Sequence, residues 1–242
     1  MRHAKVAVQA GLTVLMLAGL GACNATTPVR PADSNSRLAP DDTSARTVPA
    51  SIIYPTGPWE RERTITVNKA AMVERAIASE PDATGQWTVQ VSQRKPNAAT
   101  WTEVQALIIS RRDDGAIALH ELTNYSRKSR AVFTPALILC EGTISRAAHE
   151  AKADVRSTGL DGESDVRTGS ATATASLAGD IVTLTITMEL SPATITRTAT
   201  VQLDPAVDAV RSETTQLLVQ AGPFTVQRET RVWSTSANGS KP

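Results

Sequence analysis

Apolar and polar positions alternate with a period of two along much of the chain, the mark of strands that bury one face. In 181–190, Val182, Leu184, Ile186, Met188 and Leu190 fall on one side, and Ile181, Thr183, Thr185, Thr187 and Glu189 on the other. The next run repeats the pattern, with Ile195, Arg197, Ala199, Val201 and Leu203 against a row of threonines. Ala171, Ala173, Ala175 and Leu177 alternate with Ser170, Thr172 and Thr174. Gly179-Asp180 and Asp114-Gly115 stand between such runs as tight-turn signals, so the strands pair as antiparallel hairpins. Shorter strands are predicted at 64–68, with Ile65 and Val67 inward, and at 86–92, with Trp87, Val89 and Val91 inward. The stretch 144–157 fits either period, and the β context favours a strand from 149 onward.

Two runs differ. Val104 to Ile109 and Ala136 to Cys140 are apolar on both faces, which implies cover on both sides. The segment 69–79 carries Met72, Val73, Ala76 and Ile77 at helical spacing, with Asn68 as a cap and Pro81 beyond its end. The predicted fold is therefore mainly β. It is an antiparallel sheet, either strongly curved with that helix packed on it or built as a two-layer sandwich. A curved sheet with a helix resembles, in the order of elements alone, the lipoprotein-carrier proteins of the bacterial envelope. That resemblance implies an acyl chain or another apolar ligand held between sheet and helix, against residues such as Ile65, Val67, Leu184 and Ile186.

The amino terminus follows another logic. Arg2 and Lys5 precede an apolar run from Val6 to Leu20, which has the charge and length of a secretory signal and is short for a membrane span. Leu20-Gly21-Ala22-Cys23 then resembles the lipobox of bacterial lipoproteins. The resemblance implies cleavage between Ala22 and Cys23 and a diacylglycerol thioether on Cys23, with further acylation, as by palmitate, of the new amino terminus. Two or more acyl chains make a stable anchor where one holds only reversibly. Asn24, in place of the aspartate that signals inner-membrane retention in many such proteins, favours an outer-membrane site facing the periplasm. Between 23 and 58 lie Pro28, Pro31, Pro40, Pro49, Pro55 and Pro58, six of the chain's 13 prolines, among small polar residues. Such a segment buries too little apolar surface to offset its ordering entropy and is expected to be a disordered tether, with Ile52-Ile53-Tyr54 docking near its end. One domain is expected over 59–235, and a disordered tail over 236–242.

Composition narrows the chemistry. Without Arg2 and Lys5, 23 basic residues face 24 acidic ones, so no basic footprint for nucleic acid remains. The densest basic cluster, Arg127-Lys128-Ser129-Arg130, suits a solvated turn. His120, His149 and Cys140 are the nucleophile and base candidates of the mature chain, but a cysteine closing an apolar strand behaves as a small hydrophobe. Asp161, Glu163 and Asp165 could present oxygen ligands to calcium, although their spacing lacks the EF-hand pattern and suits an acidic loop equally. Neither a cofactor motif nor a catalytic constellation emerges. The expectation is an envelope lipoprotein with a non-catalytic β domain acting in protein or envelope assembly interactions. The alternatives are a carrier of lipid or another apolar ligand and, last, an enzyme built on Cys140 with His120 or His149.

Overall fold

The computed structural model of the protein describes residues 46–206 and 209–234. The signal segment, Cys23 and most of the tether, together with 236–242, lie outside the described residues. Twelve antiparallel strands close into an up-and-down barrel. In chain order they are β2 (Trp59–Val67), β3 (Ala70–Ala78), β4 (Gln86–Arg94), β5 (Thr102–Arg111), β6 (Ile117–Asn124) and β7 (Ser129–Cys140). There follow β9 (His149–Gly159), β10 (Arg167–Ala178), β11 (Ile181–Leu190), β12 (Ala193–Asp204), β13 (Ala209–Ala221) and β14 (Phe224–Ser234). Two short strands, β1 (Val48–Pro49) and β8 (Thr143–Ile144), pair as a separate two-stranded sheet.

The alternation seen in the sequence sets inside from outside. On β9, Ala153 and Val155 are buried while Lys152, Asp154 and Arg156 are exposed. On β10, Ala171, Ala173, Ala175 and Leu177 all point into the core. On these two strands, polar residues outside and apolar ones within reverse the pattern of a membrane-spanning barrel, whose outer band is apolar. No helix among the described residues is long and apolar enough to cross a membrane.

The helix expected over 69–79 is β3. Asn68 and Lys69 both take positive φ, 48° and 73°, which makes a two-residue hairpin turn of the primed kind. The ladder from Trp59↔Ala78 to Val67↔Ala70 then runs the whole length of β3. Pairing with β2 on one side and β4 on the other outweighs the intrinsic helix preference of Ala70-Ala71-Met72-Val73-Glu74. Among the described residues neither a helix nor a second packed sheet covers the concave face; the opposite wall of the same closed sheet does.

One end of the barrel is packed solid. Ile117, Leu119, Leu137, Cys140 and Val182 are almost fully buried there, and each large apolar side chain contributes roughly 1.5–3 kcal/mol on burial. The segment before β2 plugs this end. Val48 pairs with Ile144, Ala50 donates its backbone N–H to the Gly142 carbonyl at 2.9 Å, and Arg46 bridges to Asp180. Ile52, Ile53 and Tyr54 pack against the same core, as their apolar character suggested. The ordered body thus starts by Val48, and the boundary expected at 58 moves back, because Val48 and Ala50 are buried. Twelve strands enclose more width than the eight whose interior side chains just fill. Beyond the plug, the lumen is therefore partly empty.

The barrel closes between β14 and β2, where the ladder holds two residue pairs, Arg231↔Val67 and Val232↔Thr66. Asn68 extends it by receiving the Thr230 N–H on its side-chain Oδ1 at 2.9 Å and donating its own N–H to the Thr230 carbonyl.

Candidate functional site: a charged lumen

Two chambers open inside the barrel. The larger, about 150 Å³, is walled mainly by apolar residues that include Ile65, Val89, Leu107, Leu184, Ile186 and Ala199. The smaller, about 60 Å³, lies against Leu122, Met188, Leu190 and Ile195. Gln105, Ile186, Arg197, Thr215 and Arg231 line both and form the partition between them. Of the four residues expected beside an apolar ligand, Ile65, Leu184 and Ile186 line the larger chamber; Val67 is not in its wall.

Charges are set among these apolar walls. Arg61, Arg63, Arg127, Arg197 and Arg231 face the two chambers, against Glu74, Glu213 and Glu229. Each points inward because it occupies an inward position of its strand: Arg63 stands two residues before Ile65, Glu74 two before Ala76, and Arg197 two after Ile195. Arg63 binds Glu74 through Nη2 at 2.8 Å and Nε at 3.0 Å, and binds Glu213 through Nη1 at 2.8 Å. Glu74 also receives Gln93 Nε2 at 3.1 Å and lies 3.7 Å from Arg231. Arg231 holds Glu229 at 2.6 Å. This network ties β2 to β13 and β14 to β3, across the short closing seam. The Arg63 guanidinium also lies over the Trp233 ring, 5.2 Å from its centroid.

Burial and charge compete at each group. Burial works against the charge on Arg63, but Glu213 and Glu74 more than offset it and hold the side chain firmly protonated. Burial likewise opposes ionisation of Glu213, and the Arg63 charge and hydrogen bond, with Arg197 and Arg61 behind, bring its pKa below the ordinary 4.5. Arg197 goes the other way. Burial, and then the neighbouring Arg231 charge, lower its pKa, and it forms no hydrogen bond or ion pair among the described residues.

The candidate nucleophile and bases are not brought together. Cys140 is fully buried in the packed end, and burial pushes its thiol up to about 12. His149 lies 3.5 Å from Glu141 and 3.4 Å from the Ile138 carbonyl. His120 shares a 2.8 Å hydrogen bond with Ser110, and burial lowers its pKa against the opposing charge of Asp82. The Asp82 carboxylate is itself occupied by the Thr84 hydroxyl and the Thr84 and Gln86 backbone N–H groups, so no Ser-His-Asp relay forms. Asp161 accepts the N–H groups of Glu163 and Ser164 and the Ser164 hydroxyl, which turns its carboxylate into its own loop. No three His, Cys, Asp or Glu side chains converge as a metal site among the described residues.

The basic cluster expected as a solvated turn is divided. Lys128 is exposed at positive φ, Arg130 pairs with Glu121 outside, and Arg127 turns into the smaller chamber. The inward charges were readable in part, since Arg197 falls on the apolar side of its own alternation; a lone charge there is the signal. No family model matches the chain, and no curated protein and no solved structure matches it either.

Proposed function

We propose that the protein is a cell-envelope lipoprotein, anchored through Cys23, whose barrel binds a small and largely apolar ligand in its lumen. The larger chamber carries this reading. It is enclosed by the barrel wall, lined mainly by aliphatic side chains, and furnished with a few convergent polar groups, the usual make-up of a ligand site. Its size decides between ligand classes. In the same measure, an aliphatic cavity of about 150 Å³ takes up benzene, whereas drug-sized pockets run to roughly 300–1,000 Å³. A whole diacyl lipid is therefore too large, and a short aliphatic or single-ring molecule fits.

The test is a titration with 1-hexanol followed by thermal unfolding. At about a hundred times its Kd, a ligand that binds only the folded state stabilises it by about 2.7 kcal/mol, a rise of roughly 5–10 °C for a chain this size. Ala199→Phe, which fills the larger chamber, is expected to abolish that rise. Equal responses from the parent and the filled variant would place the alcohol elsewhere and end the proposal. Anchoring is tested separately: palmitate labelling is expected in the parent and absent from Cys23→Ser, and an unlabelled parent rejects the lipidated terminus.

A second reading, an envelope assembly partner, is supported by the β13–β14 hairpin. Phe224 and Val226 are 73% and 66% exposed near its tip, beyond the point where β2 turns away from β14.

A further inference from the structure

Three side chains that line the smaller chamber carry donors with no acceptor among the described residues. Gln105 is 7% exposed, and its side-chain Nε2 is buried without a partner. Arg127 Nη2 is in the same condition. Arg197, on the partition, has neither hydrogen bond nor ion pair among the described residues. All three line this one chamber.

Glu229 acts on Arg127 and Glu213 and Glu74 on Arg197 from a distance, but none of these carboxylates forms an ion pair with either arginine among the described residues. Glu74 is taken by Arg63, Gln93 and Arg231, Glu213 by Arg63, and Glu229 by Arg231. Arg61 sits at the margin over the Trp59 ring, 5.6 Å from its centroid. Five arginines face three glutamates across the two chambers, so Arg127 and Arg197 remain as surplus positive charge. A buried charge or donor left without a partner is strongly unfavourable, and buried charges in proteins are accordingly paired. The partner needed here is an acceptor and an anion.

Resting on the lumenal-ligand reading above, we infer that the barrel takes a small organic carboxylate. Its anionic group sits in the smaller chamber against Arg197, Arg127 and Gln105, and its apolar body extends past Ile186 into the larger one. A planar guanidinium matches a carboxylate in two parallel hydrogen bonds. At about 60 Å³, the smaller chamber holds a group of a few atoms and no more. Leu122, Met188, Leu190 and Ile195 share its wall with the carboxylate of Glu229, and Ile186 leads into the larger chamber, which suits a singly charged head on an apolar body better than the more highly charged free phosphate.

The experiment is calorimetric titration of the purified full-length protein with hexanoate, 1-hexanol, hexylamine and inorganic phosphate at neutral pH. Hexanoate is expected to bind at least about tenfold more tightly than the alcohol, and hexylammonium more weakly than both. Arg127→Gln is expected to remove about tenfold of the carboxylate's affinity and to leave that of the alcohol unchanged, and Arg197→Gln, at the border of both chambers, to weaken the carboxylate about tenfold more than the alcohol. Circular dichroism shows that each variant is folded, and the two serve as independent checks. If hexanol binds as tightly as hexanoate, the anion inference fails while the lumenal-ligand reading stands. If phosphate binds as tightly as hexanoate, the carboxylate class is wrong. Hexanoate binding that survives both substitutions overturns the assignment of its receptor, and no binding by alcohol or carboxylate overturns both proposals.

Discussion

Replacing Arg63 with methionine is expected to destabilise the barrel by about 3–5 kcal/mol, read as a lower midpoint in urea unfolding. The size follows from what the substitution strands. Glu74, 4% exposed, loses two hydrogen bonds from one guanidinium, and Glu213 loses its ion pair with Arg63. Glu74 keeps Gln93 and the more distant Arg231, Glu213 keeps no ion pair among the described residues, and an undercompensated buried charge costs far more than the pair contributes. The closing seam loses its internal bridge from β2 to β13 at the same time. An exposed pair gives the contrast. Arg75 and Glu60 lie 2.8 Å apart on the outside, and Arg75→Met is expected to leave the midpoint nearly unchanged. Acid should expose the same device. Because the Glu213 pKa is depressed on folding, its contribution is present above the ordinary value of 4.5 and is lost as pH falls through the lower folded value. In Arg63→Met that part of the acid sensitivity is expected to shrink. A midpoint within about 1 kcal/mol of the parent would mean that the lumen solvates Glu74 and Glu213 without Arg63.

The second large effect concerns Trp87, which is 2% exposed on the inner face of β4. Truncation to alanine is expected to cost about 3–5 kcal/mol, from lost transfer energy and from the cavity left in a packed end that relaxes only partly. Phenylalanine should be much cheaper. The indole N–H is buried without an acceptor, so Trp87→Phe discards an unpaired donor, a group that costs roughly 1–3 kcal/mol to bury, along with part of the ring. That relief offsets much of the lost volume. Chemical denaturation of the two variants separates the terms, and equal losses would show that the indole has a partner after all.

Much of the barrel was legible from side-chain period. The alternations at 170–177, 181–190 and 194–203 became β10, β11 and β12 with their inward faces as expected, and Asp114-Gly115 and Gly179-Asp180 became hairpin turns. Three of the residues named for a cavity wall line one. What stayed hidden has physical causes. Ala70 to Ala78 combines strong helix formers with apolar residues at helical spacing, and only pairing along both edges makes it a strand. The span that supplies β13 and β14 carries polar residues on both faces, so it gave no strand signal, and without it the sheet could not be seen to close. The lumenal charges are separated by up to 170 positions in the chain. Individually they resemble solvated surface residues, and only closure of the wall places Arg63, Glu74, Glu213 and Arg231 side by side.

The order of the strands also governs when the site can exist. Within the barrel nearly every ladder joins neighbours in the chain, and the one between β7 and β9 skips only β8, so the meander can zip up progressively from either end. The exception is the last stitch, where Val67 must find Arg231 across more than 160 residues and lose the corresponding loop entropy. Until then the ribbon has two raw edges and no inside. An emerging chain of this kind has no binding lumen until β14 has arrived, and until then its two edges are open to pairing with other strands.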